Sequence, residues 1–238
     1  MQYLEKLAAI VTALRAAVES NGRIVLVFAD EYTLWRQPSV AADYAVVGAA
    51  TQPLAERSQR SNTQWRYRGY LNALTGQVTT VAASRLGLKQ LVDGHAALRA
   101  AYPDAELIYV VEDNWPVHYH PEVLAALQPQ QTPFPLQTPP NWPTQASAKA
   151  RRLALPIQLL PLPTYASWCN PIEKLWRWLK QAVLHLHRYA DDWTQLKQKA
   201  HEFLSGFEQA SPELLRYVGL TDNSKLYGAV LAAQKAKT

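Results

Sequence analysis

The chain has 238 residues, with 24 Lys and Arg against 19 Asp and Glu and a formal net charge of +5. Apolar residues make up 48% and charged residues 18%, a globular mix that excludes wholesale disorder. A single cysteine, Cys169, excludes a disulfide framework and a multi-cysteine zinc site. No apolar run reaches the roughly 18 residues of a membrane span. The N-terminus carries Glu5 and Glu19 and lacks a signal-peptide layout. A reducing, cytoplasmic setting is therefore expected.

The basic residues cluster. Arg57, Arg60, Arg66 and Arg68 form one group, Lys149, Arg151 and Arg152 a second, and Lys174, Arg177 and Lys180 a third. Such clusters suit either a solvated surface or a polyanionic partner.

Taken in chain order, Tyr3 to Val18 predicts a helix, with Leu4, Leu7, Ala8, Val11, Leu14 and Val18 as its stripe. Asn21-Gly22 ends it. Residues 23–29 form a short, continuous apolar run that predicts a buried strand, leading into Asp30-Glu31. Residues 64–73 and 77–83 predict a hairpin across Thr75-Gly76. Arg66 and Arg68 share one face of its first strand and Trp65 and Tyr67 the other. The arginines are candidates for phosphate contact; the alternative is an edge strand with an apolar inner face. A helix is expected over 86–101 and a second buried strand over 106–112, again ending in an acid pair, Glu112-Asp113.

A short helix over 121–127 should follow. Residues 128–156 hold seven prolines and cannot form a regular core element. They predict an extended insertion. A short strand over 157–160, a long helix from Asn170-Pro171 to about His187, and a helix over 193–207 complete the pattern. The expected class is α/β, a mixed central sheet flanked by helices. The organisation predicted is an N-terminal helix over 1–22, a catalytic domain over 23–207 and a C-terminal tail over 208–238.

Three acids stand out. Asp30 follows the first buried strand, Asp113 follows the second, and Glu173 lies in the first turn of the long helix. Functional groups in open α/β sheets gather at the carboxyl ends of strands. Converging carboxylates repel one another unless a cation sits between them. Hard oxygen ligands suit Mg²⁺ or Mn²⁺, and two such ions can clamp the attacking and leaving oxygens of a phosphodiester. Glu173 also has a bland reading. With Asn170 as N-cap and Pro171 as first helical residue, it occupies the capping-box position. Glu173, Arg177 and Lys180 share one helix face, which fits a ligand beside a phosphate track or an ordinary i,i+4 ion pair.

Three blocks carry a resemblance: Phe28-Ala-Asp-Glu31, Val111-Glu-Asp-Asn-Trp-Pro-Val-His118, and the run from Leu162 to Lys180 containing Asn170-Pro-Ile-Glu173. Together they resemble the DDE transposases of the mariner superfamily, in the bacterial insertion-sequence branch. The resemblance implies a ribonuclease H-like fold, Asp30, Asp113 and Glu173 as metal-binding triad, and two Mg²⁺ or Mn²⁺ ions. It implies hydrolytic cleavage of transposon ends and strand transfer of the freed 3′ hydroxyl into target DNA, typically at TA. It also implies a homodimer on double-stranded DNA and a nucleoid-associated, cytoplasmic location. Glu31, Asn114, His118 and Asn170 fall in the motifs as supporting or DNA-contacting positions. Neighbouring strand residues point to opposite faces, so Asp30 rather than Glu31 is the expected ligand. The sixty residues from Asp113 to Glu173 exceed the family's usual gap, the excess lying in the proline-rich stretch. A helix-turn-helix region that recognises the ends is not among these motifs and is expected on a separate segment or subunit. The alternatives are a ribonuclease H-like nuclease without strand transfer and an inactive DNA-binding remnant.

Overall fold

Five strands hydrogen-bond in the order β3-β2-β1-β4-β5 in a computed structural model of the chain. The structure describes residues 2–40, 44, 46–48, 50, 52, 54–60, 62–130, 132–134 and 138–220. Strand β1 spans Ile24–Trp35, β2 Gln64–Asn72, β3 Val78–Ala83, β4 Leu107–Glu112 and β5 Ile157–Pro161. The β1–β2 and β2–β3 pairs are antiparallel, while the β1–β4 and β4–β5 pairs are parallel. The first hairpin is closed by Gly76, which sits at φ +72, and a Cβ there would strike the Ser211 carbonyl. Only glycine meets both demands at no steric cost.

Helices cover both faces, as continuous apolar strands require. On one face lie α1 (Gln2–Glu19), α4 (Ile172–Leu179), α5 (Trp193–Ser205) and α6 (Pro212–Val218). On the other lie α2 (Leu88–Ala101) and the short α3 (Pro121–Leu124). Strand alternation divides the side chains between them. Leu26, Phe28 and Val111 enter the first core, and Val25, Val27, Ala29 and Val110 the second.

Several expectations need correcting. β1 runs five residues past the Asp30 position, because β2 pairs with it as far as Trp35. β2 is an interior strand rather than an edge. The buried face of α1 is Lys6, Ile10, Val11, Ala13, Leu14 and Ala17, so Val11 and Leu14 of the expected stripe are buried while Val18 is exposed. Small alanines let this face lie close against the sheet; Ile10 and Leu14 each contribute about 2 kcal/mol by burial. α1 thus packs into the same core as the sheet. So does the described part of the predicted tail, through Leu214, Val218 and Leu220. Residues 221–238 lie outside the described residues. The long helix is α4 followed by a π turn over Lys180–Leu184, and His185 is already extended. Of residues 128–156, those described make one isolated bridge, Leu127 with Leu155, and no helix or strand. Among the described residues no helix is long and apolar enough to cross a membrane.

Candidate active site

The parallel pairing of β1 with β4 ends at Phe28 and Val111. Beyond it, β1 continues with β2 alone on one side. Asp30 lies on this stretch and Asp113 directly follows β4. Alternation then splits the acid pair of β1. Asp30 shares the face of Phe28 and meets α4, where it accepts a hydrogen bond from Trp176 Nε1 at 3.0 Å. Glu31 shares the face of Ala29 and meets a buried cation.

Asp30 is largely buried, and burial is the main reason its carboxyl is pushed up to about 7. The neighbouring charge of Glu31 adds to this, and the charges of Glu173 and Asp113 add further. Glu173 is also raised, first by burial and then by Asp113, with Arg177 opposing. The three acids therefore lie within one another's field. They are not drawn together: among the described residues no group of three or more His, Cys, Asp or Glu is arranged to hold a metal ion as it stands. Carboxylates that repel do not close on their own.

The opposite face carries a buried polar network. Arg68 is fully buried; its guanidinium bonds Glu31, Glu112 at 2.5 Å and the Tyr70 hydroxyl at 2.7 Å. Burial would raise Glu31, but Arg68 and then His118 outweigh it and hold the carboxyl down to about 2. His118 lies 3.1 Å from Glu31 through Nε2 and 3.3 Å from Asp113 through Nδ1. Burial lowers its pKa, yet Glu112 and the Glu31 bond raise it overall. His118 thus links the buried network to the rim where Asp113 stands.

Residues 25–197 match the family described as the DDE superfamily endonucleases. The chain belongs to the DDE superfamily. It is 23% identical over 197 residues to the Insertion element IS630 uncharacterized 39 kDa protein of Shigella sonnei, a match covering 83% of this chain and 49% of that one. In three dimensions it is similar to the Mos1 transposase of a pre-cleavage transpososome, with TM-score 0.57 and 15% identity over 98% of this chain and 62% of that one. The Mos1 strand transfer complex matches with TM-score 0.56 at 15% identity, covering 97% and 61%. A Mos1 mariner paired-end complex with Mn matches with TM-score 0.55 at 15% identity, covering 98% and 62%. The fold is ribonuclease H-like, and the recognised relatives are those of the IS630 and mariner group. The chain spans about half the length of the IS630 protein and less than two thirds of the Mos1 chains.

Against the DDE pattern, several candidate positions have unexpected partners. Arg68 cannot meet a phosphate, because it is sealed under the sheet between two carboxylates. Arg66 is half-buried and donates to Thr33 Oγ1 at 2.7 Å. Asn170 does not cap α4. Pro171 is the N-cap and receives no side-chain bond, whereas Asn170 Nδ2 donates to the Ala29 carbonyl at 3.0 Å. That carbonyl lies just past the last parallel pair, so Asn170 ties the approach to α4 onto β1 beside Asp30. Arg177 on α4 and Lys180 at the start of the π turn are both exposed.

Asn114 is held by a residue that periodicity did not single out. Lys6, buried on α1, donates to Asn114 Oδ1 at 2.6 Å, and Asn114 Nδ2 donates to the Leu162 carbonyl at 2.7 Å. Lys6→Ala removes this donor and leaves Asn114 Oδ1 facing a gap. It is expected to cost about 1–3 kcal/mol, read as a lower urea midpoint at unchanged slope. A shift below 0.5 kcal/mol on the order of experimental error would show that the latch adds nothing. Tyr70 and Trp176 likewise have no role in the sequence reading, and Glu112 enters it only as the neighbour of Asp113 in the acid pair after the second buried strand.

Proposed function

We propose that the chain is the catalytic core of a DNA transposase. In this reading it hydrolyses DNA at transposon ends in a divalent-metal-dependent step, and the freed 3′ hydroxyl then attacks target DNA, typically at TA. The observation that supports it is the placing of Asp30, Asp113 and Glu173 toward one end of a DDE-family sheet, with the charges of Glu173 and Asp113 both raising the proton affinity of Asp30.

The residues fit a hard divalent cation. The donor set is all oxygen, which suits Mg²⁺ or Mn²⁺, and the mutual repulsion is what a cation relieves. Asp30 and Asp113 would hold it from adjacent strands and Glu173 from α4. Bound there, a pair of ions supplies an activated nucleophile and a stabilised leaving oxygen. The chain's own residues do the rest. Asn170 fixes the approach to α4 against β1, Lys6 fixes Asn114, and His118 lies between Asp113 and the Arg68 network. Arg177 and Lys180 present charge to phosphates beside Glu173.

The partner in this reading is double-stranded DNA, the ends and the target. The similar Mos1 structures are paired-end and strand transfer complexes, one of them with Mn and another with Mg. A homodimer on paired ends and a helix-turn-helix recognition region outside this chain belong to the same proposal.

The test uses a supercoiled plasmid and an oligonucleotide with a free 3′ hydroxyl end, each with Mn²⁺. Nicking and joining, both abolished by Asp113→Asn, are expected. Nicking without joining in any DNA context would favour a nuclease without strand transfer. Full activity of Asp113→Asn would overturn the triad, and no cleavage under any condition would favour an inactive remnant.

A further inference from the structure

The proposed ligand Asp30 is gripped by a residue to which the motifs assign no role. Trp176 lies one turn after Glu173 on α4, three residues further along the chain. Its indole Nε1 donates to Asp30 Oδ2 at 3.0 Å. Its ring stacks on Tyr32, with centroids 5.4 Å apart and planes at 21°. Tyr32 is two residues beyond Asp30 and so on the same face of β1.

The indole reaches this position because β2 has no side chain beneath it. Gly69 pairs with Asp30 across the β1–β2 ladder. A Cβ on Gly69 would lie 2.7 Å from Trp176 Cη2 and 2.8 Å from Cζ2, closer than real carbon contacts. The backbone at Gly69 is antiparallel strand, so the demand is for space rather than for an unusual backbone angle. Tyr32 on one side, Gly69 below and the α4 backbone behind leave the ring one seat. In that seat its single N–H points at one oxygen of Asp30.

We propose that Trp176 is a positioning residue for metal binding, with Gly69 and Tyr32 as its seat. The indole N–H holds one oxygen of Asp30, fixing the carboxylate's rotation so that its other oxygen faces the Asp113 side. Because the donor sits on the helix that carries Glu173, the same bond sets the distance between the two acids from opposite elements. This inference rests on the proposed role of Asp30 as a ligand. Partners of this kind, behind a ligating carboxylate, are worth about 10–100-fold in metal affinity.

The experiment is a Mn²⁺ titration of the purified chain followed by electron paramagnetic resonance of the free ion, which needs no DNA. Four variants are compared with the native sequence. Asp30→Asn tests the ligand itself. Trp176→Phe keeps an aromatic ring and removes the donor. Replacement of Trp176 by benzothienylalanine keeps the indole's shape and removes only the N–H. Gly69→Ala pushes the ring from its seat without touching either partner. Asp30→Asn should abolish binding, and each of the other three should weaken it about 10-fold or more. The benzothienyl variant should melt within a few degrees of the native chain, so a general loss of structure cannot imitate the result. If Asp30→Asn loses binding while the benzothienyl variant binds as the native chain does, the positioning role is wrong and the ligand stands. If Asp30→Asn binds normally, or the native chain binds no Mn²⁺, the ligand reading falls and this inference with it.

Discussion

Arg68→Met is expected to destabilise the chain by about 3–5 kcal/mol, the usual cost of removing one partner from a buried ion pair. For a domain of this size that is a fall in melting temperature on the order of 10 °C. The reason lies in what remains. Glu112 is fully buried and Glu31 nearly so, and both accept from the same guanidinium. Methionine fills much of the volume but leaves two carboxylates in a low-dielectric interior. His118 stays near both, yet its ring lies 3.5 Å from Glu112 and cannot replace a planar fork. Arg68→Lys should recover only part of the loss, because one ammonium cannot hold two carboxylates in the same geometry. Adding Glu112→Gln to Arg68→Met should restore a fraction of the stability by removing one orphaned charge. Calorimetric melting of the four proteins is the measurement. An Arg68→Met chain within 1 kcal/mol of native, a cost typical of surface changes, would show that the network is open to water.

The same arginine marks the limit of sequence reasoning. Alternation placed Arg66 and Arg68 on one face of a strand, which is correct, but it does not say what covers that face. A phosphate and a buried carboxylate are equally good partners for a guanidinium. The deciding fact is that Glu31 and Glu112 come from strands 37 and 44 residues away and meet under α2. By contrast, β1 and β4 were legible because apolar runs bounded by charge leave few alternatives. The order of acids after them was legible for the same reason. On α4, Trp178 is half-buried against Phe203, Phe207 and Tyr217. Trp176 takes the inner position because Gly69, on a distant strand, leaves room for it. Asn170 illustrates the same limit. Its local sequence is a good cap, and the Ala29 carbonyl outbid the helix for its side chain.

Asp30→Asn is the second large effect, and it should move activity and stability in opposite directions. The ionised carboxylate is buried and feels the like charges of Glu31, Glu173 and Asp113. Without a metal, that arrangement strains the fold. An amide has almost the same shape, can still accept from Trp176 Nε1, and carries no charge to bury. The metal-free variant should therefore be more stable than the native chain, by on the order of 2 kcal/mol at neutral pH after allowing for solvent screening. Metal-dependent DNA cleavage should fall by roughly 10³-fold or more, since a lost ligand forfeits several kcal/mol of charge stabilisation and each 1.4 kcal/mol is about tenfold. Mn²⁺ should raise the melting temperature of the native chain and leave that of Asp30→Asn unmoved. The crossing of these two behaviours separates a ligand from a structural acid. A carboxylate that merely supported the fold would, on conversion to the amide, lose stability and activity together. A variant that is less stable than the native chain in the absence of metal would sink the assignment. Glu31→Gln provides the contrast on the neighbouring residue: it gives up charge pairing with Arg68, so it should lose stability with or without Mn²⁺. Two adjacent acids on opposite faces of one strand are thus expected to respond to the same chemical change with opposite signs.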